Sequence, residues 1–406
     1  MSELYKLPKG WEWKQLGDIS KLIGGGTPKR NMNEYWDNGN IVWLSPTDLG
    51  KIGDIIYISD SKDKITQLGL DKSSAKLLPV GTVLYSSRAT IGKIAINTIE
   101  VSTNQGFTNF ICNENLNNKY LAYILSRFTP EITSLSNSTT FKEVSKTSLK
   151  KFQIPLPALQ EQKRIVAKLD TLFEKIDKAI ALHQKNMDEA DVFMGSVLNE
   201  VFGELEKKYQ KDSLDNLTKL ITKGTTPTTN GYKFLDKGIN FLKIENIVNG
   251  KIDLSTIEMF ISEEAHQSQK RSQLEVNDVL FSIAGTIGDT AIVKEEHLPM
   301  NTNQAVALIR PVDKLNPEFL RRLLSSSLSS QTTNKKRGGA IKNVSLGDIK
   351  NTIIPLPPLN IQQKTVSYLD SISQKIEKLK AVQKEKMQSL VALKASILDQ
   401  AFRGEL

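Results

Sequence analysis

The sequence repeats itself at an interval of about 200 residues, and this duplication limits the possible fold more than any other feature. Residues 154–159, Ile-Pro-Leu-Pro-Ala-Leu, recur at 354–359 as Ile-Pro-Leu-Pro-Pro-Leu. Shorter matches precede them in the same order: Leu-Tyr-Ser at 84–86 with Leu-Phe-Ser at 280–282, Thr-Ile-Gly at 90–92 and 286–288, and Thr-Asn-Gln at 103–105 and 302–304. An ordered series at offsets of 196 to 200 indicates a duplicated unit, so the chain should fold as two similar halves.

The pattern of apolar and polar residues in each half changes at its Ile-Pro-Leu-Pro segment. Before it, short β-type runs such as 40–44 and 305–309 are separated by Gly, Asn, Pro and Asp, which is typical of a compact α/β domain with irregular strands. After it, apolar residues recur at alternating intervals of three and four without proline, which predicts a long helix. The predicted organisation is a domain at 1–158, a helix at 159–205, a second domain at 206–358 and a second helix at 359–406.

The two predicted helices should pack against each other, because each carries an apolar stripe that must be buried. An antiparallel pair fits the chain path, since the second helix returns after the second domain. Residues 159–202 carry six Lys and Arg against eight Asp and Glu, whereas 359–406 carry eight against five, so the helices are oppositely charged. The predicted fold class is α+β: two α/β domains separated by a pair of long antiparallel coiled-coil helices, with a pseudo-two-fold repeat. The predicted seam consists of Leu169, Leu172, Ile176, Leu369, Ile372, Ile376, Leu379, Leu390 and Leu393.

Charge and cysteine usage narrow the setting. The net charge of +9 and a pI near 9.2 favour a polyanionic partner. Cys112 is the only cysteine, which excludes an intramolecular disulfide and favours a reducing, cytoplasmic location. No apolar run is long enough to predict a membrane-spanning helix or a signal peptide.

The sequence does not contain the usual signatures of catalysis. The glycines at 24–26 are followed by Pro28, which disfavours a phosphate-binding loop opening a helix. The histidines, His183, His266 and His297, are isolated, and one cysteine cannot build a zinc site. We therefore expect no catalytic residues, no metal and no cofactor bound by this chain.

Polar and basic turns remain as candidate contacts to double-stranded DNA. Arg and Lys suit guanine edges and phosphates, and glycine-flanked loops allow a close approach to a groove. The Thr-Asn-Gln segments fit either structural caps or contacts. The candidate DNA-binding residues are Lys29, Arg30, Ser87, Arg88, Thr90, Lys142, Lys223, Thr225, Thr226, Thr286, Lys335, Lys336, Arg337 and Lys342.

The duplicated layout resembles the specificity subunit of Type I restriction–modification enzymes. The resemblance rests on the two-fold repeat, the Thr-Ile-Gly and Thr-Asn-Gln segments and the Ile-Pro-Leu-Pro start of each helix, and it covers essentially the whole chain. It implies that each domain reads one half of a bipartite DNA target. It also implies that the helices space the domains and dock two modification (methyltransferase) subunits and, in the full complex, restriction subunits. S-adenosylmethionine, ATP and Mg²⁺ would then bind to those partners.

Three alternatives remain open at this point. The chain could serve a methylation-only or orphan system, which its own sequence does not distinguish. It could be a self-sufficient DNA endonuclease or methyltransferase, although the motifs for either are missing. A purely structural coiled-coil spacer is disfavoured by the two large globular domains.

Overall fold

The computed structural model describes residues 5–136, 142–326 and 344–406, and the chain divides into two compact units. The first unit comprises Met1–His183 and Glu385–Leu406, and the second comprises Gln184–Lys384. Each unit therefore contains one globular domain together with one part of each long helix. Within the described residues, no helix combines the length and apolarity needed to cross a membrane.

The first domain contains a five-stranded sheet in the order β2-β9-β6-β7-β4, a three-stranded sheet in the order β5-β3-β8, and the pair β1-β10. Its strands are β1 (Glu12–Gln15), β2 (Ser20–Gly24), β3 (Ile41–Leu44), β4 (Ile55–Ile58), β5 (Asp63–Ile65), β6 (Val83–Ser86), β7 (Ile94–Asn97), β8 (Ser102–Thr103), β9 (Phe107–Cys112) and β10 (Gln153–Leu156). Its helices are α1 (Leu16–Ile19), α2 (Gln67–Asp71), α3 (Asn118–Ser134) and α4 (Lys146–Lys151), with a 3-10 turn at Asn33–Tyr35. The first long helix, α5, follows at Leu159–Lys208.

The second domain repeats the order of the first four strands of the large sheet and of the three-stranded sheet, without a fifth strand in the large one. Its four-stranded sheet has the order β12-β20-β17-β18 and its three-stranded sheet the order β16-β13-β19; two short pairs are β11-β21 and β14-β15. The strands are β11 (Lys211–Ser213), β12 (Thr218–Lys223), β13 (Ile239–Leu242), β14 (Ile247–Val248), β15 (Lys251–Ile252), β16 (Phe260–Ile261), β17 (Val279–Ser282), β18 (Thr290–Ile292), β19 (Met300–Thr302), β20 (Val306–Pro311) and β21 (Ile353–Pro355). The helices are α6 (Glu263–Ser268), α7 (Pro317–Leu324), α8 (Leu346–Lys350) and the second long helix, α9 (Leu359–Arg403), with 3-10 turns at Pro227–Asn230, Ile244–Asn246, Leu254–Thr256, Lys270–Ser272 and Glu295–His297.

The core of each domain includes the end of a long helix. In the first unit, Phe402 at the end of α9 is buried against Tyr120 of α3, with ring centroids 5.4 Å apart. In the second, Phe202 near the end of α5 is buried against Phe319 of α7, also at 5.4 Å. Burying one such side chain contributes roughly 1.5–3 kcal/mol, so each domain depends on the end of a long helix. For the first domain this helix is α9, which is remote in sequence; for the second it is α5, which directly precedes the domain.

The long helices run antiparallel within each unit. In the first unit, Arg164 donates to the backbone carbonyl of Leu406 at 2.8 Å, and Lys394 bonds to Asp177 at 2.8 Å. Later residues of α5 therefore contact earlier residues of α9, as in an antiparallel pair. In the second unit, Lys380 bonds to Asp191 at 2.6 Å, while Leu369 shares a cluster with Phe202.

The predicted seam is wrong at two positions. Leu379 and Leu393 are 45% and 47% exposed, and the next residues, Lys380 and Lys394, lie at the helix contact with only 22% and 24% of their side chains exposed. Their aliphatic stems pack at the seam while their ammonium groups reach Asp191 and Asp177, an arrangement that apolar spacing does not reveal.

The other predicted seam residues lie on the inner faces of the helices. In the first unit, Leu169, Leu172, Ile176 and Leu390 belong to the core cluster that also contains Phe173. In the second unit, Leu369 and Ile372 belong to the cluster around Phe202, and Ile376 is half-buried.

A buried glutamine joins each long helix to its own domain. The side chain of Gln362 accepts from the backbone NH of Asn316 at 2.7 Å and donates to the carbonyls of Lys314 and Pro357 at 2.9 and 2.8 Å. Gln162 makes the equivalent three bonds to Asn117, Asn115 and Pro157 in the first unit. Both glutamines are fully buried, so these bonds fix the loop before α3 or α7 on the first turn of the helix.

We predict that Gln362→Leu destabilises the protein by about 2–4 kcal/mol, because it leaves a buried NH and two buried carbonyls without partners. The neighbouring Gln363 is exposed, so Gln363→Leu is a matched control and should change stability by less than about 0.5 kcal/mol. Urea denaturation followed by circular dichroism measures both. Equal stability of the two variants would show that the buried glutamine does not hold the domain on its helix.

Candidate nucleic-acid interface

The same tight loop follows β2 in the first domain and β12 in the second; we call it the Gly-Thr loop (residues 25–28 and 224–227). Its backbone is bonded to the neighbouring strand in each domain: Gly26 N donates to Thr103 O at 2.8 Å, and Thr225 N donates to Thr302 O at 3.0 Å. A Cβ on Gly25 would lie 1.9 Å from the carbonyl oxygen of Asn104. One on Gly224 would lie 2.0 Å from that of Thr302, so glycine is required in both loops.

The Thr-Asn-Gln segments hold this loop in place. Gln105 accepts a hydrogen bond from the hydroxyl of Thr27, and Gln304 accepts the equivalent bond from Thr226. The preceding asparagines close the turn, since Asn104 Oδ1 accepts from Gly106 N at 2.8 Å and its counterpart Asn303 makes the same type of bond to Ala305 N at 3.1 Å. These bonds give the Thr-Asn-Gln side chains the structural role that the sequence left open.

The Thr-Ile-Gly segments form a second repeated turn, in which a serine at the end of a strand bonds across to the returning chain. Ser86 Oγ donates to Thr90 O at 2.6 Å and accepts from Lys93 N at 2.8 Å. Ser282 bonds to Thr286 and Asp289 in the same way. The backbone at Ala89 has a φ of +60°, whereas glycine occupies the corresponding position, Gly285, at +69°. The turn is thus preserved by backbone geometry while its exposed side chains differ.

The structure contradicts the prediction that Ser87 is an accessible contact residue. Its side chain is only 4% exposed, and its Oγ accepts a hydrogen bond from Thr108 at 3.1 Å. Its backbone also bonds to Gly106 and Val144, so the residue belongs to the sheet rather than to an accessible turn. Its neighbour Arg88 is exposed and forms an ion pair with Glu143 at 3.6 Å.

The remaining candidates divide by exposure. Thr225 and Thr226 are half-buried in the second Gly-Thr loop, where the hydroxyl of Thr226 is committed to Gln304. Lys335, Lys336, Arg337 and Lys342 lie outside the described residues. The exposed candidates are Lys29, Arg30, Arg88, Thr90, Lys142, Lys223 and Thr286.

Arg30 is held by an aromatic pair that the sequence analysis did not identify. Its guanidinium lies 3.8 Å from the ring centroid of Trp36 and 4.8 Å from that of Trp43, and it bonds to Asp63 at 2.7 Å. The indole NH of Trp43 donates to Gly26 O at 2.9 Å, which ties this stack to the Gly-Thr loop.

The second domain has a phenylalanine pair in the corresponding place, and its arginine comes from elsewhere. Phe234 and Phe241 contact edge to face at 5.1 Å, the same separation as Trp36 and Trp43. The guanidinium of Arg271, in the 3-10 turn after α6, reaches Thr225 Oγ1 at 3.4 Å. Because none of residues 71–75, which lie at the repeat offsets from Arg271, is an arginine, comparison of the two halves could not reveal it.

The described residues offer little to catalysis. They contain no group of three or more His, Cys, Asp or Glu side chains arranged to hold a metal ion. Burial raises the pKa of the Cys112 thiol to about 12, so it stays protonated at neutral pH and is a poor nucleophile. Burial also raises the pKa of the Asp278 carboxyl, a shift opposed by Arg310, which bonds to it at 2.8 and 2.9 Å; this pair is structural.

Comparison with known proteins shows the family. The family described as the Type I restriction modification DNA specificity domain matches residues 8–186 and 206–386. The chain belongs to this family, which confirms the resemblance and the α+β fold class drawn from the duplicated sequence. It is accordingly a DNA-specificity subunit and not an enzyme.

Relatives and solved structures match along most of the chain. The MjaIX specificity subunit of Methanocaldococcus jannaschii is 28% identical over 391 residues, which are 92% of this chain and 89% of that protein. The EcoBI specificity subunit of Escherichia coli is 30% identical over 314 residues, 71% of this chain and 66% of that one. A chain solved in work on assembly and conformational transition of the type I R-M system matches with a TM-score of 0.73 and 25% identity, covering 99% of this chain and all of that one. The HsdS subunit from Thermoanaerobacter tengcongensis, 24% identical with a TM-score of 0.53 and covering 100% and 99%, shares the fold.

We predict that Gly25→Ala destabilises the first domain by about 2 kcal/mol or more, because its Cβ would overlap the Asn104 carbonyl and displace the loop. Gly24→Ala is the matched control, since a Cβ there meets no described atom within 4 Å. Hydrogen exchange at Gly26, whose NH is bonded to Thr103, should accelerate in the first variant only. Unchanged protection in Gly25→Ala would contradict the proposed close approach.

Proposed function

We propose that this chain reads a bipartite double-stranded DNA target, one half-site per domain, within a Type I restriction–modification complex. The observation that carries the proposal is the contrast between the two domains. They share two repeated loops fixed by equivalent backbone bonds, yet the side chains on and beside those loops differ, as with Arg30 against Thr229 and Arg88 against Ala284. A common scaffold with divergent side chains suits two readers of different sequences.

The long helices would space the domains and dock the partner subunits. This part of the proposal is supported by the equivalence of the two units, each of which pairs a part of α5 with a part of α9 around related residues. Equivalent surfaces suit two copies of one partner, so we propose two modification (methyltransferase) subunits, joined by restriction subunits in the full complex. S-adenosylmethionine, ATP and Mg²⁺ would bind to those partners. We also propose a cytoplasmic location, because the proposed target is the cell's own and incoming DNA.

Basic side chains around the loops would supply affinity that does not depend on sequence. Lys29 and Lys223 are exposed beside the two Gly-Thr loops, and Lys142 lies next to the Thr-Ile-Gly turn, where its carbonyl accepts from Ala89 N at 2.9 Å. Lysine contacts to phosphates position a protein on DNA without selecting bases. Selection would then depend on the side chains that distinguish the domains.

We predict that replacing residues 1–158 with the corresponding domain of a relative changes one half of the methylated target only. The second half-site and assembly with the modification subunits should persist, because the second domain and the parts of both helices packed with it are untouched. Methylation mapping of the chimaera beside the parent measures the target, and size-exclusion chromatography measures assembly.

The reciprocal replacement of residues 206–358 is the control, and it should alter the other half-site. If either exchange changed both half-sites together, recognition would not be divided between the domains. If the parent complex methylated no bipartite target, the proposed function itself would be wrong.

A further inference from the structure

The two domains place a guanidinium beside the same loop from different parts of the chain. In the first domain, Arg30 lies two residues after the Gly-Thr loop and stacks on Trp43, which is itself bonded to Gly26. In the second domain, Arg271 belongs to the turn after α6 and contacts Thr225 of the loop. Duplication alone would have put both arginines at equivalent sequence positions. Because they lie beside the same loop but at different sequence positions, their placement calls for a physical reason.

The loop is enclosed similarly in both domains, which makes the two positions comparable. One side is the Thr-Asn-Gln turn, through Thr103 and Thr302. Another side is the segment that follows the short helix, α2 in the first domain and α6 in the second. In the first domain, a Cβ added to Gly26 would lie 2.3 Å from the Oγ of Ser74, which belongs to this segment. Arg271 occupies the corresponding segment of the second domain. The exposed remainder of the loop is therefore flanked by one arginine in each domain.

Arg30 is oriented in advance for recognition of a flat, polar edge. The faces of Trp36 and Trp43 hold its guanidinium, and Asp63 accepts one of its five N–H groups. The side chain nevertheless remains 55% exposed. An exposed ion pair contributes about 0–1 kcal/mol and an exposed cation–π contact about 0.5–1 kcal/mol, so these contacts fix the direction of the fork more than they stabilise the fold.

We propose that Arg30 and Arg271 are the guanine-reading side chains of the first and second half-sites, an inference that rests on the proposed function. A planar guanidinium can donate two parallel hydrogen bonds to O6 and N7 of guanine in the major groove, which a lysine ammonium cannot reproduce. The loop backbone is the same in both domains and so cannot discriminate between half-sites. The two arginines differ in origin and in neighbours, as side chains that read different sequences should.

The test uses the complete chain assembled with its modification subunits. The target is first mapped by methylation sequencing of wild-type complex, and binding is then measured on duplexes carrying that target or single base-pair changes at each position. Arg30→Lys should lose about 10-fold to 100-fold in affinity for the intact target and should lose preference at a G·C pair in the first half-site only. Arg271→Lys should do the same in the second half-site. Binding to unrelated DNA at low salt should stay unchanged, because the charge is retained.

Arg164→Lys is the control for the chemical change: the residue lies on α5, outside both globular domains, where it bonds to Glu161 and the Leu406 carbonyl, and its replacement should leave the base preference in both half-sites unaltered. Arg30→Gln is a second variant, and it keeps a planar donor group. Thermal unfolding of each variant checks that the protein still folds without the contact between Arg30 and Trp36. A uniform loss on all duplexes would make the arginines phosphate contacts and overturn the proposal, as would unaltered base preference in both lysine variants. Failure of the wild-type complex to show any bipartite target would instead overturn the proposed function.

Discussion

The structure depends on the packing of each globular domain against the end of a long helix. That helix is α9, remote in sequence, for the first domain and α5, which directly precedes it, for the second. Phe402 completes the core of the first domain and Phe202 that of the second, each meeting an aromatic ring of α3 or α7. The buried Gln162 and Gln362 then fix the start of the other long helix on the same domain. Neither domain has a finished core without parts of both helices, so each domain forms one compact unit with a part of α5 and a part of α9, and its Gly-Thr loop belongs to that unit.

The helix pair itself combines modest apolar packing with specific ionic contacts. Lys394 and Lys380 occupy seam positions and reach Asp177 and Asp191, whose carboxylates stay largely in water. Such pairs add little net stability, because desolvation of the ammonium offsets the attraction. They do favour the pairing of α9 with α5 in one register, which is the best-attested role of polar residues at a coiled-coil seam. The exposed Leu379 and Leu393 are left on the outer surface.

Sequence alone predicted the duplication, the long helices and the fold class, because repeats and helical periodicity are properties of spacing. It misjudged the seam, since Leu379 and Lys380 are adjacent and only packing shows which one faces inward. It placed Ser87 in an accessible turn, although the side chain of this residue accepts a hydrogen bond from Thr108 within the sheet. It missed Trp36, Trp43 and Arg271 because their importance arises from contacts between segments far apart in the chain, which no local pattern encodes.

Divergence after duplication has acted differently on backbone and side chains. Bonds within the Gly-Thr loops and Thr-Ile-Gly turns are preserved almost atom for atom, because a shifted carbonyl or an added Cβ would disrupt a whole sheet edge. Side chains that point outward from the same loops carry no such constraint, and they change in size, charge and origin. Even the inner aromatic pair is retained as a shape while its chemistry changes from indole to phenyl, and the position of Arg30 is occupied by Thr229. A phenyl ring cannot donate the bond that Trp43 makes to Gly26, and in the second domain a side-chain contact to the loop comes from Arg271 instead. The backbone bond to the Thr-Asn-Gln turn is kept in both domains, so the difference in exposed side chains accompanies a difference in the packing beside a common loop.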